Sequence, residues 1–146
     1  MNKEINGGGR SEENSHNRSL ARLWWLLPLT WMGVIFLLSA QPDLRLSPEL
    51  WWDDLASWAA HFVEYAILAV LLWLAARRTP ALARHAVLLA FILASLFALS
   101  DEFHQWFVPN RAADWRDVLV DFAGAAMALF GVSKTLARGG DRHATH

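Results

Sequence analysis

Leu23 to Ala40 is a run of 18 residues without one charged side chain. A helix needs about 20 predominantly apolar residues to cross the hydrocarbon core of a bilayer. Three comparable runs follow. Leu55–Ala76 covers 22 residues broken only by His61 and Glu64, Ala86–Ser100 has 15 uncharged residues, and Val118–Ser133 has 16 with a single Asp121. A water-soluble bundle would carry a polar stripe along each helix. These runs are apolar all round, so the sequence predicts an all-α fold: a polytopic membrane protein built as a four-transmembrane-helix bundle with disordered polar tails. The first run is longer than the core of a signal peptide, about 7–15 residues, and reads as a retained span bent at Pro28.

Mean hydropathy is only +0.22 although 55% of the residues are hydrophobic, because two polar tails dilute the apolar blocks. Residues 1–19 and 138–146 have little apolar content and no helical period, and are expected to be disordered around a membrane domain at 20–137. With no cysteine, disulfides and thiolate-bound metals are excluded. Ten of the 13 Lys and Arg residues fall in the N-terminal tail, the second loop and the C-terminal end; only Arg45, Arg111 and Arg116 lie on the other side. By the positive-inside rule both termini are expected in the cytoplasm of a multi-pass cell-membrane protein, with the first and third loops outside.

The third and fourth runs are too short to cross by themselves. At 1.5 Å per residue, 15 residues reach roughly 22 Å against a core of about 30 Å. The third helix is therefore expected to continue through Asp101, Glu102, His104 and Gln105, and the fourth to begin near Asp114. Asp114, Asp117, Asp121, Gly124 and Ala128 form one stripe, small or acidic throughout, which must face the bundle and not lipid. By the same spacing His61, Glu64 and Tyr65 share a face on the second helix, and Asp101, His104 and Gln105 share one on the third. These stripes predict a polar pocket among helices 2, 3 and 4 at the outward end. The sequence FVPNR between helices 3 and 4 reads as a turn, leaving Arg111 placed to fold back on the flanking carboxylates.

The segments LLSAQPDL, AAHFVEYAILAVLL and SDEFHQWFVPNRAADWRDVLVDFAGAAMALFG resemble the VanZ-like integral membrane family. That family shows a Ser-x-Gln-Pro segment, a His-Phe-x-x-Tyr helix, a Glu-x-x-Gln-x-Phe-x-Pro-x-Arg run, and an Asp-x-x-x-Asn/Asp-x-x-Gly helix. The resemblance runs from about Ser39 to Gly131 and puts the family's polar positions on Gln41, His61, Tyr65, Glu102, Gln105, Arg111, Asp117 and Asp121. Many relatives carry Asn where this chain has Asp121. The resemblance implies a cell-envelope membrane protein, and the founding member is associated with resistance to the glycopeptide antibiotic teicoplanin.

Three functions compete for the polar residues Gln41, His61, Glu64, Tyr65, Glu102, His104, Gln105, Arg111, Asp117 and Asp121. One is a binding pocket for a cell-envelope lipid headgroup or a glycopeptide, with Arg111 as anion contact and Trp51, Trp52, Trp58, Trp106 and Trp115 at the rim. Those tryptophans equally suit an interfacial aromatic belt. Another is a membrane-embedded enzyme acting on a lipid-linked substrate. Its His61-x-x-Glu64 and Asp101-x-x-His104 pairs would hold a metal, or Glu102 and His104 would serve as general base and acid. The third is a purely structural polar network. No cofactor, metal or catalytic residue is specified by a motif. The expected partners are membrane lipids and an envelope ligand, with nothing pointing to nucleic acid. A transporter is disfavoured by four short spans without inverted repeats.

Overall fold

The computed structural model describes residues 20–41, 51–109, 111 and 114–143, with side chains described for all of these except 51–54 and 136–143. The described chain is helical: α1 (Leu26–Ser39), α2 (Trp51–Arg78), a short 3-10 turn (Ala83–His85), α3 (Ala86–Gln105) and α4 (Trp115–His143). Four segments are long and apolar enough to cross a membrane: Leu20–Ser39, Leu55–Arg78, Ala83–Gln105 and Trp115–Thr135. The expected four-span bundle is therefore present. The α3 helix does run on to Gln105, and α4 begins directly after Asp114. Twenty residues at 1.5 Å give α3 about 30 Å, the thickness it must cross. The α4 helix continues to His143, into the stretch 138–146 that composition marks as a tail, while residues 1–19 and 144–146 lie outside the described part.

In the first span the irregularity falls one turn before the proline. Trp24 and Trp25 form a turn, and α1 starts at Leu26. Pro28 has no N–H to offer the Trp24 carbonyl four residues back, so the regular ladder fails there and restarts with Leu29 donating to Trp25 at 3.3 Å.

The α2 helix is the axis of the bundle. It packs on α4, α3 and α1, while α1 touches α2 and α3 and, among the described residues, not α4. Its core-facing side chains Tyr65, Leu68, Leu72 and Trp73 meet a row of alanines on α3: Ala86, Ala90, Ala94 and Ala98, all buried. Four alanines at a spacing of four keep that face flat, so two helices approach closely and gain dispersion contact where the hydrophobic effect gives nothing. Gly124 does the same on α4. A Cβ there would collide with the Phe62 carbonyl oxygen of α2 and sit 3.1 Å from that residue's carbonyl carbon and Cα. The outer surface is apolar, with Leu37, Leu88, Leu96, Phe103 and Phe130 each more than half exposed. Lipid is the solvent such a surface requires.

The up-down order of the helices gathers like with like. The end formed by the start of α1, the end of α2 and the start of α3 is basic. There Arg78 lies 3.8 Å over the Trp24 ring and Arg77 lies 5.2 Å from the Trp73 ring. The Trp25 indole donates to Thr79 Oγ1 at 3.1 Å, tying α1 to the end of α2. The opposite end joins the end of α1, the start of α2, the end of α3 and the start of α4, and it holds the acids.

Candidate functional site

Two polar groupings fill the acidic end. In the first, His61 of α2 faces α4: its Nδ1 lies 3.1 Å from Asp121 Oδ1, and its Nε2 lies 4.0 Å from Asp117 Oδ2. A carboxylate only accepts, so the hydrogen of this bond resides on Nδ1. His61 and Asp121 are 5% and 2% exposed, which makes this a membrane-buried pair and not a surface contact. Asp117 and Asp121 lie one turn apart on α4, as the stripe requires, and the imidazole reaches both.

In the second grouping Asp101 of α3 is the hub. Ser39 Oγ at the end of α1 donates to its Oδ2 at 2.7 Å, and Gln105 Nε2 donates to the same oxygen at 3.2 Å. The other oxygen, Oδ1, is buried and has no partner among the described residues; neither has the Tyr65 hydroxyl. Tyr65 is fully buried one turn below His61, its ring centroid 6.2 Å from that of Phe97. Ser39 is not among the polar residues expected at the pocket, and Asp101 is expected on the third-helix stripe that borders it but not among the ten lining residues. The signal for Asp101 is its place as the polar continuation of the Ala86–Ala98 row, and for Ser39 the Ser-x-Gln-Pro segment.

Several residues stand apart from the roles expected of them. Among the described residues no carboxylate lies within 4.0 Å of Arg111; its guanidinium donates to the Ser39 backbone oxygen at 3.0 Å, capping the end of α1. The carbonyls at a helix C-terminus carry partial negative charge and lack intrahelical partners, so they compete with carboxylates for a guanidinium. Among the described residues the ion pairs within 4.0 Å are those of His61. Glu102 accepts the backbone N–H of Asp114, and Asp114 Oδ1 accepts the N–H of Arg116 at 2.9 Å, so both serve the start of α4. His104 points to the α1 side, its ring centroid 4.1 Å from that of Phe36. Gln41 is exposed and its amide donates to the Leu37 carbonyl at 3.3 Å, back on its own helix. The Glu64 backbone carbonyl accepts the Trp31 indole at 3.0 Å; its side chain is half-buried. Trp106 and Trp115 are exposed at 73% and 68%, as belt residues are, and the Trp51 and Trp52 side chains lie outside the described ones.

The VanZ/LLP1 family model matches residues 10–136. The chain belongs to the VanZ/LLP1 family. No curated protein and no solved structure matches it. Four spans and this membership make it a multi-pass membrane protein. The family-like positions now separate by what each side chain contacts. The buried His61 and Asp121 form one set with the half-buried Asp117, and Gln105 supports Asp101. Arg111 and Glu102 bind backbone at helix ends, and Gly124 sets the α2–α4 distance. Among the described residues, no three His, Asp or Glu side chains converge as a metal site would require. Among the described residues the histidine within 4.0 Å of a carboxylate is His61, with Asp121 and Asp117.

Proposed function

We propose that this VanZ/LLP1 chain binds a polar cell-envelope ligand at the acidic end of its bundle, and that this end faces the extracytoplasmic side with both termini in the cytoplasm. Among the described side chains six carboxylates (Glu64, Asp101, Glu102, Asp114, Asp117, Asp121) stand there against Arg111, Arg116 and His61, and Arg111 is occupied at the Ser39 carbonyl. Such a balance suits a ligand that brings amines and hydroxyls: an amine-bearing lipid headgroup, or the amino and hydroxyl groups of a glycopeptide. A strongly anionic ligand would meet net repulsion. The observation that carries this reading is the buried Asp101 Oδ1, which, like the buried Tyr65 hydroxyl, has no partner among the described residues. A buried polar atom left unsatisfied is expensive, and a ligand donor relieves it.

The test is thermal stability of the full-length protein in detergent, titrated with phosphatidylethanolamine, phosphatidylglycerol and teicoplanin. Stabilisation by an amine-bearing ligand, lost in Asp101→Asn, supports the proposal. No stabilisation by an amine-bearing ligand, or a stabilisation that Asp101→Asn leaves untouched, sinks it. A role in glycopeptide resistance is then checked by expressing parent and Asp101→Asn chains in a susceptible strain and comparing growth in teicoplanin.

A second reading rests on His61. Asp121 orients its Nδ1–H, leaving Nε2 towards Asp117, the arrangement by which a carboxylate readies an imidazole for general acid–base work. An enzyme acting on a lipid-linked envelope substrate would lose turnover in His61→Gln while keeping ligand-induced stabilisation.

A further inference from the structure

A groove of about 560 Å³ opens at the basic end of the bundle, remote from the acidic cluster. It runs between the first turns of α3 and the last spanning turns of α4. Leu88 and Phe91 form one wall, Ala126 and Phe130 the other, and Arg84 and His85 stand at the end where α3 begins. Leu88 and Phe130 are 58% and 62% exposed on helices that cross the membrane, so the occupant must be apolar along the groove. Lys134 adds a second cation, its ammonium 4.3 Å over the Phe130 ring.

The charge around this groove is one-sided. Residues 79–100 and 122–140 contain no Asp or Glu, and the next acid on α4, Asp141, stands about 10 Å along the helix beyond Lys134. Asp101 lies about 24 Å along α3 from His85, and Asp121 about 18 Å along α4 from Ser133, at 1.5 Å per residue. The neighbouring Arg77 and Arg78 are laid on the Trp73 and Trp24 rings, whereas Arg84 is exposed and, among the described residues, makes no ion pair or aromatic contact. Ser133 lines the same end, but its hydroxyl already donates to the Leu129 carbonyl at 2.8 Å, so the cations must hold any anion.

We propose that this groove is a binding site for an anionic glycerophospholipid, one acyl chain lying between Leu88 and Phe130 and the phosphate held by Arg84 and Lys134. Basic pockets between spanning helices at the interface recognise acidic headgroups in this way. A zwitterionic lipid has no use for two cations that make no ion pair among the described residues, and a second copy of this chain would have to bury them against its own basic end. The site is separate from the acidic cluster, and the two stand or fall independently.

Native mass spectrometry of delipidated full-length protein in detergent, titrated with phosphatidylglycerol or phosphatidylcholine, provides the test. The expected result is a bound phosphatidylglycerol preferred over phosphatidylcholine. That preference should fall roughly fivefold in Arg84→Ala and again in Lys134→Ala. Ala126→Trp, which fills the groove without touching either cation, should abolish it, and Arg116→Ala, an equal charge loss at the opposite end, should leave it intact. Equal binding of the two lipids overturns the proposal. So does an equal loss in Arg116→Ala, or a protein dimer that lipid does not displace and Ala126→Trp dissolves.

Discussion

The imidazole of His61 and the carboxylate of Asp121 meet at 3.1 Å inside the bundle, from helices whose contact residues are 60 positions apart in sequence. Within a membrane neither group has water to fall back on, so each is the other's solvation. Removing one partner of a buried pair leaves the other uncompensated, at about 3–5 kcal/mol. His61→Leu should therefore destabilise the protein by that order, Asp121→Asn by less than about 1.5 kcal/mol because an amide oxygen still accepts from Nδ1. The double change His61→Leu with Asp121→Leu should recover much of the loss. Thermal unfolding in detergent of His61→Leu, Asp121→Leu and their double reads the coupling, and strict additivity would show that the pair carries no energy.

Gly124 gives a prediction about backbone approach. Any Cβ there meets the Phe62 carbonyl, which belongs to a rigid helix and cannot swing away. Gly124→Ala should cost about 1–3 kcal/mol, as overpacking does. Gly33 and Gly131 have nothing within 4 Å of an added Cβ, so Gly33→Ala and Gly131→Ala should stay within about 0.5 kcal/mol of the parent. Comparing the three unfolding midpoints separates a helix-packing role from a general intolerance of alanine.

Arg111 holds the end of α1 to the turn after α3, a turn that its own amide closes on the Val108 carbonyl at 3.2 Å. Arg111→Ala removes a charged hydrogen bond to backbone and should lower stability by about 1.5–3 kcal/mol. Arg111→Lys should restore part of it, since an ammonium supplies one donor without the fork. Asp121 is compensated by His61, so Arg111→Ala and Asp121→Asn should add to within about 0.5 kcal/mol. Strong coupling between them would place the guanidinium on the carboxylates after all.

Orientation is checked directly. Reporter fusions at His146 should report a cytoplasmic C-terminus, and an insertion at Arg45 an external loop, as the ten-to-three distribution of Lys and Arg demands. An external His146 reporter would invert the bundle and move the acidic end to the cytoplasm.

Four spans were legible in the chain because apolar runs of 15 to 22 residues, broken by at most two titratable side chains, have few other solutions. The continuation of α3 to Gln105 followed from membrane thickness, and the inward face of Asp121 from the expense of a carboxylate in lipid. Gly124 could be read as an interhelical contact because it shares the Asp117–Asp121 stripe. One helix and its solvent decide each of these features, so sequence suffices for them.

Tertiary structure alone decided which polar group meets which. Helical periodicity gives each side chain an azimuth, but not the rotation and axial offset of one helix against another. His104 is about 60° round α3 from Asp101, and Gln105 about 40° the other way. Only the position of α1 made Phe36 the neighbour of one and left Ser39 to complete the Asp101 group. Arg111 had carboxylates within reach on two helices, and the free carbonyls at the end of α1 took it instead. The groove beneath Arg84 was equally invisible, because its walls come from α3 and α4 and only the placement of one helix against the other makes it.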